Sequence, residues 1–434
     1  MTTPQSGPAT APTQSGTAGP AGPTPRPAGQ LAEHEAADRV LTAALRWIEA
    51  HVEWFAPERW EQHLPRRPFR PGPLLELLGL IRILDREGIL SETAPLRSKA
   101  LDLAERAVSE ESFEAGLRAG DDFFPYHLNL IALLERLGRP CRSLRTVCQA
   151  LLTADAGSLA RPYKPVLNRL ELRYFADRGA FTAPAHLPEA RALHRESIAA
   201  LAPDALQLTE SETYALTHVV FYATDFGRNP MEFGSDGATA QLSETTRVLL
   251  GVSLARRNLD LLAELLLCES ALATGPRTTP MTTVGWSTLA GSIRPDGALP
   301  SPVHRPDVLA GLTGDKAAAY LFGTCYHTTT VAALAATVRR KHPRAPAPVP
   351  IPAWPHADPA HLRTWSHKVT TTAASAPAPL RSAWADQLDP LLAIAAQTRD
   401  ANLLKDLLHA AAALDRTALP VPRRAAELHT AWTS

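Results

Sequence analysis

The chain has 434 residues, and its 44 lysines and arginines are matched by 44 aspartates and glutamates. That balance leaves no global field to gather nucleic acid or an anionic membrane surface. No apolar run reaches the ~20 residues that a membrane-spanning helix needs, and four cysteines without a CxxC pair or a regular framework fit free thiols in a cytoplasmic protein.

Residues 1–30 hold no aromatic residue and no aliphatic larger than alanine, and they lack the apolar segment of a secretory leader. With so little to bury, this arm is expected to be disordered. Helical patterning begins at Leu31. Ala37, Val40, Leu41, Ala44, Leu45, Ile48 and His51 recur at helical spacing, with charges on the opposite face. "PLLELLGLIRILDREG" (73–88) and "PYHLNLIALLERLGRP" (125–140) open near a proline and close near a glycine, as helices do. Further blocks follow near 96–108, 164–178 and 189–201. Sustained period-2 runs are missing, so the expected class is all-α.

"RRNLDLLAELLLCESAL" (256–272) is echoed by "TRDANLLKDLLHAAAAL" (398–414), with Asn258 and Asp400 before matching leucine pairs. Two copies of one helix start predict helix-pair repeats, curled into an α/α toroid-like barrel or left as an open solenoid. A main domain over 31–342 is expected to lead into a proline-rich connector over 343–360. The C-terminal helices of 361–434 should complete the same domain.

Chemistry concentrates in "YALTHVVFYATDFGRNP" (214–230). At about 100° per residue, Tyr214, His218, Phe221, Tyr222 and Asp225 fall within a sector of roughly 100°, while Leu216, Val219, Val220 and Ala223 lie opposite. Such a face, without lysine or glutamate, predicts an inner helix looking into a cavity; Gly227 marks its end. In the helix of 315–338, Tyr320, Thr324 and His327 share a sector. "RPDGALP" (294–300) reads as a turn that could present Asp296 at a cavity mouth. His218, Asp225 and His327 are therefore the expected catalytic groups. Tyr214, Tyr222, Tyr320, Thr324 and Asp296 are the expected substrate-binding groups.

The block from Trp286 to Pro300, W-x-x-L-A-G-x-I-x-x-D-G-A-L-P, resembles the helix-end turns of α/α-toroid proteins, which include squalene–hopene cyclases, protein prenyltransferases and lanthionine cyclases; the glutamine of that turn is Ser292 or Ile293 here. The clustered aspartates and zinc-binding sets of those enzymes have no counterpart: only Cys325-Tyr326-His327 approaches one. Neither metal nor cofactor is therefore expected. "THVVFYATDFG" (217–227) with "YHTTTVA" (326–332) is similar to an uncharacterised all-helical family associated with actinobacteria, over about 200–340. Some of its members lie near natural-product and modified-peptide pathways. The resemblance implies a biosynthetic accessory role on a small molecule or peptide but carries no mechanism; the shared sector of His218 and Asp225, with His327 expected to face it, points to cofactor-independent acid–base catalysis. The alternative is a helical-repeat scaffold binding a peptide or a partner protein without turnover. Nucleotide-binding glycine motifs, GxSxG and HExxH are missing, and neither nucleic acid nor membrane is an expected partner.

Overall fold

The computed structural model describes residues 33–231, 236–273, 279–341 and 353–434. The arm of residues 1–30 and most of the connector lie outside the described residues. Among the described residues every regular element is a helix. The first are α1 (Glu33–Ala50), α2 (Pro57–Trp60), α3 (Gly72–Arg86), α4 (Pro95–Val108), α5 (Glu111–Ala119) and α6 (Phe124–Arg136). Then come α7 (Arg142–Thr153), α8 (Val166–Arg178), α9 (Ala190–Glu196), α10 (Glu210–Thr224), α11 (Asp236–Arg256) and α12 (Leu259–Leu272). The chain continues through α13 (Pro280–Gly291), α14 (Pro306–Ala310), α15 (Gly314–Arg339) and α16 (Pro359–Thr372). It ends with α17 (Ala378–Gln397), α18 (Ala401–Ala413) and α19 (Pro420–Thr433).

Local sequence explains the helix starts. Proline occupies the first turn of α3, α4, α6 and α16, where its missing N–H costs nothing. Thr209 and Glu212 form a reciprocal capping box at α10. The internal echo has a shared physical form. Asn258 and Asp400 each accept a hydrogen bond from the amide three residues on, at 3.2 and 2.9 Å. Each follows an arginine, Arg257 or Arg399, with a left-handed backbone at φ 54°. Two helix pairs, α11 with α12 and α17 with α18, are thus joined by the same turn. One expectation was too long: the helix near 189–201 ends at Glu196, where Ser197 becomes extended.

Helix contacts pass from α3 to α6, then to α8, α10, α12 and α15, and from α15 back to α3. These six helices close a cycle. Others pack against individual members: α1 against α15, α13 against α1 and α12, α11 against α12, α9 against α8 and α10, and α4 against α3 and α6. Trp47, Trp286, Phe55 and Phe322 are fully buried in this main core. Removing such side chains from water is worth roughly 1.5–3 kcal/mol each. The ends of α1 and α15 are tied by a buried ion pair, Glu33 Oε1 to Arg339 Nε at 2.6 Å.

The C-terminal helices α16–α19 enclose a second core with Val248, Val252 and Ala255 of α11. Close approach of α11 to α17 depends on Gly251: a Cβ there would lie 2.3 Å from the Pro390 ring. The Trp354 indole donates to the Gly251 carbonyl at 3.0 Å, so the end of the connector is fastened to the same spot. Helix α16 already begins at Pro359, inside the stretch read from sequence as connector.

Candidate active site

The cycle presents a stripe of half-accessible polar side chains on helices whose other faces are buried. Glu76 comes from α3, Tyr126 from α6, and Glu171, Tyr174 and Arg178 from α8. Tyr214, His218 and Tyr222 come from α10 and His327 from α15. These groups come from five of the six helices of the cycle, and all remain partly reachable by water. His327 keeps 38% of its side-chain surface accessible although carboxyl groups flank both its ring nitrogens.

His327 is the hub. Its Nδ1 lies 2.7 Å from Glu76 Oε2, and its Nε2 lies 3.5 Å from Asp260 Oδ2 and 3.9 Å from Glu264 Oε1. With an acceptor at each nitrogen, only the imidazolium satisfies both. Burial works against that charge, but Glu76, Asp260 and Glu264 outweigh it and raise the His327 pKa to about 10. Asp260 also accepts from Tyr214 at 2.6 Å and from Thr328 at 3.0 Å. Tyr326 donates to Glu76 at 3.2 Å and accepts from Arg67 at 2.5 Å.

Glu264 is buried in leucine-rich α12, and burial together with Asp260 raises its pKa to about 8. Hydrogen bonding agrees. The Thr217 hydroxyl lies 2.8 Å from the Tyr214 carbonyl and 2.5 Å from Glu264, and it has one proton. A carbonyl cannot donate, so a protonated Glu264 completes the chain by donating to Thr217.

His218 has the opposite fate. Its ring stacks on Tyr222 at 6.0 Å and meets Phe221 edge-on at 5.8 Å. Burial first, and then repulsion from His327, lower its pKa to about 4. The polar line continues through Tyr222, which donates to Glu171 at 2.7 Å. Burial raises Glu171 to about 7 against the hydrogen bonds from Tyr222 and Tyr126. Tyr222 stacks in turn on Tyr174, with ring centroids 4.9 Å apart.

Of the residues singled out from sequence, His218, His327, Tyr214 and Tyr222 meet along this line. Asp225 does not lean back toward His218. It caps the C-terminus of α10 with a left-handed backbone, φ 45° and ψ 54°. Two arginines of α3 hold it there, Arg82 at 3.0 Å and Arg86 at 3.3 Å, with Tyr174 donating at 2.7 Å. Burial would raise the Asp225 pKa, yet Arg82, Tyr174 and Arg86 prevail and lower it.

Tyr320, Thr324 and Asp296 also depart from the expected lining, because their hydrogen bonds go to the loop before α14. Tyr320 accepts from the Arg305 amide at 3.0 Å. Thr324 spends its proton on the Tyr320 carbonyl and so accepts from His304 Nδ1 at 2.8 Å. Asp296 accepts from the Ala298 amide at 3.0 Å and pairs with Arg294 at 3.4 Å, closing its own turn. These three residues brace the loop. Cys325, raised to about 11 by burial, is a poor nucleophile beside them.

Sequence reading missed Glu76, Asp260, Glu264, Glu171 and Tyr326. A signal was present: Asp260 and Glu264 stand four apart in a stretch, 259–267, that is otherwise leucine and alanine, and Glu76 interrupts a run of leucines. Carboxyl groups seldom enter such helices unless something inside meets them. Among the described residues no group of three or more His, Cys, Asp or Glu side chains is arranged to hold a metal ion. No helix among them is long and apolar enough to cross a membrane.

No curated protein and no solved structure matches the chain. A family model described as a domain of unknown function (DUF6895) matches residues 41–337. That span reaches further back than the 200–340 inferred from the two motifs, and it takes in all but the last two residues of the six-helix cycle. The protein carrying these converging histidines and carboxyl groups therefore belongs to the DUF6895 family.

Proposed function

We propose that the six-helix cycle is the inner ring of an α/α toroid-like barrel and that its central recess is a cofactor-independent acid–base active site. The observation that carries this reading is the split between two histidines in one recess, His327 raised to about 10 and His218 lowered to about 4. Environments that drive two like groups apart assign an acid and a base. At neutral pH His327 is the imidazolium, held between Glu76 and Asp260 and able to donate a proton or to steady developing negative charge. His218 is the neutral imidazole, able to accept one. The two are coupled: once His327 has given up its proton, its repulsion of His218 ends and His218 becomes more basic. Such a pair suits a proton-neutral change, an isomerisation or an intramolecular addition, in which one proton leaves the substrate and another is delivered. Tyr214 and Tyr222 border the pair and offer substrate contacts.

The substrate class, a natural product or a modified peptide, is supported by the resemblance of residues 217–227 and 326–332 to proteins near such pathways. The experiment is reconstitution of the pathway encoded beside the gene, with His218→Gln and His327→Gln each introduced. Each variant should lose about 10²–10⁴-fold in product formation, the worth of one general acid or base. Circular dichroism should stay unchanged. Full product from both variants, correctly folded, would overturn the catalytic reading and leave the recess as a binding pocket for a peptide or partner.

A further inference from the structure

At the far end of the polar line the charge balance reverses. Helices α3 and α8 bring Arg82, Arg86 and Arg178 around Tyr174 and Asp225. Asp225 pairs with Arg82 and Arg86. The Tyr174 hydroxyl accepts from Arg82 at 3.2 Å and from Arg178 at 3.1 Å while donating to Asp225. Arg178 also donates to Asn129. Arg86 shares Glu87 with Lys341, at 2.5 and 2.7 Å. Three guanidinium groups and an ammonium group are thus served by two carboxylates. Arg82 is only 4% exposed, and the Nε atoms of Arg82 and Arg178 have no hydrogen-bond partner. Burial and the nearness of Arg82 lower the Arg178 pKa, a mark of cations crowded together. An excess of buried positive charge with idle donors is costly unless an anion completes it.

We propose that Arg82, Arg178 and Tyr174 form an oxyanion subsite of the central recess, taking a carboxylate or phosphate group of the substrate. The proposal rests on the catalytic reading above for the word substrate; the anion site itself does not. Asp225 follows His218 by seven positions, about 10 Å of helix rise. The substrate then carries its acidic group roughly that far from the atoms between the histidines, as an extended peptide or an acyl or phosphoryl chain would.

The test is calorimetric titration of the full-length protein, at low ionic strength, with inorganic phosphate and, separately, with N-acetylglycine. One anion or both should bind saturably at a single site. Phosphate alone would identify a phosphoester, and N-acetylglycine alone a carboxylate. Arg178→Met should weaken binding by about ten-fold or more, the loss of a charge-assisted hydrogen bond. Asp225→Asn should tighten it, because it removes the competing carboxylate. Should Arg178→Met not fold, Tyr174→Phe and Asp225→Asn carry the comparison. His218→Gln should bind the anion as the wild type does. Anion binding with undiminished product from the histidine variants would retain the subsite and sink the catalysis. Failure of both anions to saturate, or affinities unchanged across the arginine, tyrosine and aspartate variants, would overturn the subsite.

Discussion

Around His327, one cationic ring is met by the carboxyl groups of Glu76, Asp260 and Glu264. Around Asp225, one carboxylate is met by Arg82 and Arg86, with Arg178 behind Tyr174. Both clusters are built from helices of the same cycle, and each inverts the charge of the other. They relieve their excess charge differently. Carboxyl groups can take up protons, and Glu264 does so at neutral pH with a pKa of about 8. Guanidinium groups have no such outlet, since arginine stays charged at any ordinary pH. The acidic cluster can therefore adjust from within, whereas the basic one depends on Asp225 or on an anion from outside.

Single substitutions break this contrast most sharply. Asp225→Ala should strand Arg82 and Arg86 without their carboxylate and cost about 3–5 kcal/mol in chemical denaturation, as loss of one partner of a buried pair does. Glu264→Gln, at pH 7, should cost less than about 1 kcal/mol, because an amide can donate to Thr217 as the protonated acid does. Equal losses in the two variants would erase the distinction between the clusters.

The pH dependence of stability should follow the same logic. His327 is raised from 6.5 to about 10 in the folded state, so its contribution is complete below pH 6.5 and is lost as pH rises through about 10. Glu264 and Glu171, raised from 4.5 to about 8 and about 7, also bind more protons when folded and steepen the decline above pH 4.5. His218, lowered from 6.5 to about 4, acts the other way, adding stability as pH rises from 4 to 6.5. Thermal unfolding should show Tm falling between pH 6.5 and 10. His327→Gln should flatten that fall, and an unchanged slope would show that His327 is not the imidazolium.

The smallest expected effect lies between the clusters. Tyr222→Phe removes one of the hydrogen bonds to the Glu171 carboxyl group and should cost about 0.5–1.5 kcal/mol. It should also move the Glu171 pKa upward from about 7, readable by carbon NMR of labelled glutamate. A downward move would mean that Tyr222 does not donate to that group.

Much of the fold was legible because helix signals are local. The proline starts of α3 and α6, the capping residues Asn258 and Asp400, and the oily back of α10 are each written within a few neighbouring residues. The polar faces bearing His218 and His327 could be read the same way. Asp225 could not, for its position is settled by arginines 139 and 143 residues earlier in the chain, beyond the reach of a helical wheel.

The amino-acid order alone thus determined the all-helical class, the repeated turn before α12 and α18, and the two histidine-bearing faces, since backbone hydrogen bonds and apolar periodicity act over a turn or two. Tertiary structure alone decided which charges those faces meet. Glu76 stands 251 positions from His327, and only closure of the helix cycle brings it to 2.7 Å. Protonation depends on burial and on neighbours in space, so the separation of the two histidines into acid and base arises only in the folded chain.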